Sequence, residues 1–86
     1  MPVWNECLPL DSVKRVTFYK RDEITTDLIC CDVDTGSLVW FSHEEEPIWS
    51  ALLEHLGALP GFDIDWFAKV SQPPFAASET IAWSRG

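Results

Sequence analysis

Glycine is scarce in this chain, four residues in 86, and the four are well spread. No GxGxxG or GxxxxGK loop can be built from them, which excludes a backbone cradle for nucleotide phosphates. Basic residues are few as well. Six stand against fourteen acidic ones, and the resulting formal charge of −8 repels a phosphate backbone, so nucleic-acid binding is excluded as a general function. No run approaches the ~18–20 apolar residues that span a bilayer. The opening MPVWNECLPLD has neither the basic start nor the continuous apolar core of a secretion signal, so a cytoplasmic protein without a membrane partner is expected. Cysteines number only three, and Cys30 and Cys31 are adjacent in a strand-like run, where neighbouring side chains point to opposite faces. They cannot pair with each other or hold one metal together, and they suit a reducing compartment as small apolar core residues.

The spacings that carry chemistry are missing too. There is no CxxC, HxxxH, HExxH or GxSxG. His43 and His55 would lie about 18 Å apart on a continuous helix at 1.5 Å per residue, too far to share a metal within one subunit. The carboxylate pairs Asp22/Glu23, Asp32/Asp34 and Asp63/Asp65 read as turn or solvated residues, and Cys7, Cys30 and Cys31 as packed thiols. No catalytic, metal-binding or cofactor-binding residue is therefore assigned, and no cofactor is expected.

What is present is an ordinary globular composition, 47% apolar and 23% charged, enough for a single domain over residues 1–86. A domain of this size buries about 60–65% of the surface of its unfolded chain. The alternation of Val16 and Phe18 with Thr17 and Tyr19 predicts a strand from Val13 to Arg21. A second, from Thr25 to Val33, is continuously apolar from Leu28 to Cys31 and suits a central position covered on both faces. Asp34, Thr35, Gly36 and Ser37 supply a turn, with Gly36 free to take positive φ, so a third strand from Leu38 to Phe41 completes a hairpin.

Ser42 stands three residues before Glu45, the spacing of a capping box, and Pro47 fits a first helical turn. A main helix over about 46–56 follows, with Ile48, Trp49, Leu52, Leu53 and Leu56 on one stripe and Ser50, Glu54 and His55 outward. Gly57 ends it and Pro60-Gly61 turns the chain. Asp63 or Asp65 caps a short second helix over about 63–69, and Glu79 to Ser84, alternating Ile81 and Trp83 with polar neighbours, forms a last strand. The expected fold is a small two-layer α+β domain, an antiparallel or mixed sheet of about four strands in the order β-β-β-α-α-β.

YKRDEITTDLICCDV and WFSHEEEPIWSALLEHLGALPGFDIDWFAKVSQPPFAASETIAW resemble a group of short bacterial proteins that share a tyrosine-lysine start, a TTD turn, a helix of this type and a Pro-Phe-Ala tail. That group carries no assigned activity, so the resemblance implies a bacterial cytosolic origin and no chemistry. Three strands leading into a helix also resemble part of a pleckstrin-homology-like barrel, the alternative fold.

Five tryptophans, five phenylalanines and one tyrosine are many for one two-layer core. The surplus implies that rings meet a partner. Trp4, Trp40, Trp66, Phe67, Phe75 and Trp83, with Glu44, Glu45 and Glu46, form the expected interaction surface. The partner is a second copy, giving a homodimer, or another protein, and a non-enzymatic interaction or accessory domain is the leading expectation. An acidic inhibitor or immunity-type protein that blocks a basic partner through Glu44 to Glu46 is one alternative. A small enzyme whose carboxylate or His43 site is completed across a dimer is another, and a small apolar ligand between helix and sheet is a minor one.

Overall fold

A computed structural model describes residues 8–22, 27–71 and 78–85. A 3-10 turn over Leu10–Ser12 leads into β1 (Arg15–Asp22), β2 (Asp27–Asp34), β3 (Val39–His43), the helices α1 (Trp49–Leu56) and α2 (Trp66–Val70), and β4 (Ser78–Ser84). The four strands form one antiparallel sheet in the order β3-β2-β1-β4. The α+β class and the order β-β-β-α-α-β match the reading of the sequence, with β2 central and β2–β3 a hairpin.

Why the hairpin forms is local chemistry. The Asp34 carboxylate accepts the Gly36 N–H at 2.7 Å, and Gly36 sits at φ 90, a left-handed conformation that costs glycine little. Thr35 then closes the turn, its N–H donating to the Leu38 carbonyl at 2.9 Å.

The two-residue period sends Val16, Phe18, Ile29, Cys31, Val33, Trp40 and Ser42 to one face, and the helices cover that face. Leu52 and Leu56 of α1, Val70 of α2 and Leu59 of the intervening loop are buried with them. Phe18 is the centre of this layer. Its ring stacks on Trp66 with centroids 3.7 Å apart and meets Trp49 and Phe62 edge-on at 6.1 and 6.2 Å.

Lys20 shares the inner face and is buried, its ammonium donating to the Ser71 carbonyl beyond α2 at 3.0 Å. The N-terminal segment is tied down from two sides. His55 Nε2 bonds the Leu8 carbonyl at 2.7 Å, which fixes the proton on Nε2, since a carbonyl only accepts. Arg85 donates through Nε to the Val13 carbonyl and through Nη2 to that of Leu10, and its guanidinium lies 5.0 Å from the Trp83 ring centre.

Four local expectations are corrected. The regular helix begins at Trp49, not near 46, because residues 44–48 are spent in turns, and its N-cap position, Ile48, makes no side-chain cap hydrogen bond. Glu46, not Glu45, reaches back, its carboxylate accepting the His43 N–H at 2.9 Å, while His43 Nδ1 accepts the Glu45 N–H at 3.3 Å. Ser42 is the penultimate residue of β3, pointing into the core with no partner for its hydroxyl among the described residues. In β4 the alternation fails, since a shift in register opposite Val16/Thr17 buries Ala82 and leaves Ile81 on the outer face. His55 is half-buried on Leu8 rather than outward.

Ser42 offers a direct check. A lost cap lowers stability by about 1 kcal/mol, whereas removal of an unpartnered buried hydroxyl is neutral or gains about 1 kcal/mol. Ser42→Ala is expected to leave the urea midpoint unchanged or raised, and Phe18→Ala in the same assay to cost about 3–5 kcal/mol.

Candidate interaction surface

The face of the sheet opposite the helices is a grid of three rows fixed by strand register. The middle row runs Phe41, Asp32, Thr17, Ile81 from β3 to β4. On one side of it lie His43, Cys30, Tyr19 and Glu79, and on the other Val39, Asp34, Arg15 and Ser84. The large apolar members stay open to solvent: Val39 is 55% exposed, Phe41 47% and Ile81 51%. No helix packs on them among the described residues, since α1 and α2 lie on the other side.

The polar members of the grid are engaged with one another. Tyr19 donates its hydroxyl to Asp32 at 3.2 Å. Burial first, then the charge of Asp32, pushes the phenol from its ordinary value of 10.0 up to about 12. Arg15 approaches Asp34 at 3.7 Å, an exposed pair that contributes little to stability. Cys30 is fully buried between His43 and Tyr19. Its neighbour Cys31 faces the core, and burial pushes that thiol up to about 12, which keeps it protonated and a poor nucleophile.

The residues expected at the interaction surface do not converge. Trp40, Trp66 and Trp83 are half-buried and pack against the core on the helix side, and Trp83 Nε1 donates to the Pro60 carbonyl at 2.7 Å. Phe67 is exposed beside Trp66, at the helix layer and away from the grid. Glu44 extends the β2–β3 ladder, its carboxylate accepting the Ile29 N–H at 3.1 Å, and Glu46 holds His43, so of the three only the Glu45 carboxylate makes no backbone hydrogen bond among the described residues. Trp4 and Phe75 lie outside the described residues, as do Cys7 and Glu23.

The basic residues of β1 do not form one patch. Lys20 is committed to the inner face and Arg15 and Arg21 to the outer one, as a two-residue period requires. The carboxylate pairs are separated by function as well. Asp32 serves Tyr19, Asp34 serves the turn, and Asp63 accepts from Lys69 at 2.6 Å and from the Asp65 N–H. No group of three metal-ligating side chains occurs among the described residues, and no helix among them is long and apolar enough to cross a membrane.

Sequence reasoning missed Val39, Phe41 and Ile81. Phe41 was within reach, because Trp40 and Ser42 flank it on the opposite face. Comparison with known proteins finds no match to a protein family, to a curated protein or to a solved structure.

Tyr19 is the sole tyrosine, so its ionisation can be followed directly in the ultraviolet. A midpoint near 12 is expected in the folded protein, and Asp32→Asn is expected to move it down toward 10.0 by removing the negative neighbour. The folded state holds this proton more tightly than the unfolded one. The stabilisation is therefore complete below pH 10 and lost as pH climbs toward 12.

Proposed function

We propose that this chain is a protein-interaction domain without catalysis of its own, and that its working surface is the open face of the sheet. The observation that carries this reading is the half-exposure of Val39, Phe41 and Ile81 on one face. Val39 and Phe41 are neighbours on β3 and Ile81 stands at the opposite margin, across Asp32 and Thr17, so the apolar groups frame one face, and exposed apolar groups rimmed by polar ones mark sites of association. Phe41 is the natural anchor, since aromatic side chains bring the largest apolar area to an interface.

Polar side chains elsewhere support the same reading by what they are already doing. Glu44, Glu46, Asp34, Asp63, His55, Lys20 and Arg85 each bond backbone groups. With Glu44 and Glu46 engaged in this way, an acidic inhibitor acting through Glu44 to Glu46 loses its main support. The buried thiols of Cys30 and Cys31, neither in a disulfide, are in keeping with work in a reducing compartment, the cytoplasm.

Placing a benzophenone-bearing phenylalanine at position 41 or 81 in living cells tests the surface, with position 54 on the exposed side of α1 as control. Illumination is expected to give protein adducts from 41 and 81 and none from 54. Absence of adducts from both face positions would remove this reading.

A further inference from the structure

We infer that the occupant of the open face is a second copy of this chain, packed sheet to sheet about a two-fold axis that runs along the strands between β1 and β2. The inference rests on the interaction reading above and adds the identity of the partner.

A chain of formal charge −8 repels its own kind on most approaches. The open face is the exception. It carries Arg15 and Arg21 against Asp32, Asp34 and Glu79, close to balance. Charge therefore selects this face for self-association, and it would offer little steering to a strongly basic partner.

The order of residues in each row gives the geometry. A two-fold axis along the strands reverses the strand order of the second sheet, so each row meets itself read backwards. In the middle row Phe41 then lies over Ile81 of the partner subunit, and Thr17 lies over the partner's Asp32, hydroxyl toward carboxylate. In the row toward the turn, Arg15 lies over Asp34 of the partner subunit and Val39 over the partner's Ser84. In the remaining row His43 lies over Glu79 of the partner subunit, while Cys30, already fully buried within the chain, offers no contact of its own. Every acid in the three rows faces an arginine, a hydroxyl or a histidine, and each of the two edge apolar groups in the middle row faces the other. The alternative axis, across the strands, would lay β3 on β3 and β4 on β4, with Phe41 on Phe41 and Asp32 on Asp32.

Aligned sheets pack about 10 Å apart, and side chains of this size span that gap. The face is small, roughly 19 by 20 Å from four strands at ~4.8 Å and six residues at ~3.3 Å. That is below the ~800 Å² per partner of a standard stable interface, so the dimer is weak, with dissociation in the micromolar range.

Sedimentation velocity on the purified chain, from about one to several hundred micromolar, is expected to show a reversible monomer–dimer equilibrium. Phe41→Glu and Ile81→Glu, at opposite edges of the sheet, are each expected to raise the dissociation constant at least tenfold while far-UV circular dichroism stays native. Arg15→Asp alone is expected to weaken the dimer by setting two carboxylates against each other, and adding Asp34→Arg to restore it. A chain that stays monomeric throughout overturns the second copy. Cross-links from position 41 to a different protein would then still support an interaction domain, so the two failures are told apart. A dimer indifferent to both glutamate variants overturns this face.

Discussion

One ring holds the two layers together. Phe18 lies in the middle of β1, and its contacts reach α1 through Trp49, the connecting loop through Phe62 and α2 through Trp66. The last of these carries the most structural weight, because α2 is five residues long and its Asp65 cap position makes no side-chain hydrogen bond. A helix of that length has no stability of its own. The stacking of Trp66 on Phe18, with the buried Val70 one turn on, is what gives it a place, and the Lys20 ammonium bonded to Ser71 fixes its far end. Aromatic pairs contribute about 0.5–1.5 kcal/mol each beyond the area they bury. Three such pairs on one ring concentrate a large part of the layer-to-layer attraction in a single side chain.

That concentration explains where the tryptophans went. The sequence has more rings than a plain two-layer core needs, and the expectation was that the surplus would seek a partner. Instead Trp40, Trp49, Trp66 and Trp83 are all half-buried against the core. Indoles suit this position, since they present a broad apolar body and one polar N–H, and Trp83 uses its own on the Pro60 carbonyl. The large apolar groups exposed on the sheet are consequently those of its other face, where no helix packs among the described residues.

The fold was largely legible because its signals are local. Period two marks β1 and β2, a stripe at helical spacing marks α1, and Asp34 with Gly36 marks the hairpin. The failures have one cause in common, a property of pairing that a single strand does not display. Ser42 three residues before Glu45 reads as a cap until β3 is seen to continue through His43, at which point the alternation from Trp40 forces Ser42 inward. Ile81 and Trp83 alternate with polar neighbours as though on one face until the register against β1 shifts between Val16 and Thr17. Lys20 is a charged residue in a strand, yet the same period that buries Val16 and Phe18 carries it inward as well. The open face is the plainest instance, since Phe41, Asp32, Thr17 and Ile81 are scattered over sixty-odd residues of chain and become neighbours only through the strand order.

A sheet recruits partners by its edges or by its face, and here the edges are blunted. On β4 the register shift distorts the outer strand, and the Ala82 carbonyl is already taken by the Asp63 N–H at 2.9 Å. Register shifts and covering loops of this kind are how sheets resist strand addition. The opposite edge, β3, is five residues long and runs straight into Glu44, Glu45 and Glu46, three carboxylates that a second acidic chain would have to approach side by side. Short strands and like charge both oppose a continuous ladder there. The face has neither obstacle, its arginines and carboxylates being interleaved and its apolar groups placed at both margins of the middle row. With edge addition disfavoured on both sides, packing through the face is the route that this arrangement of strands, charges and rings leaves open.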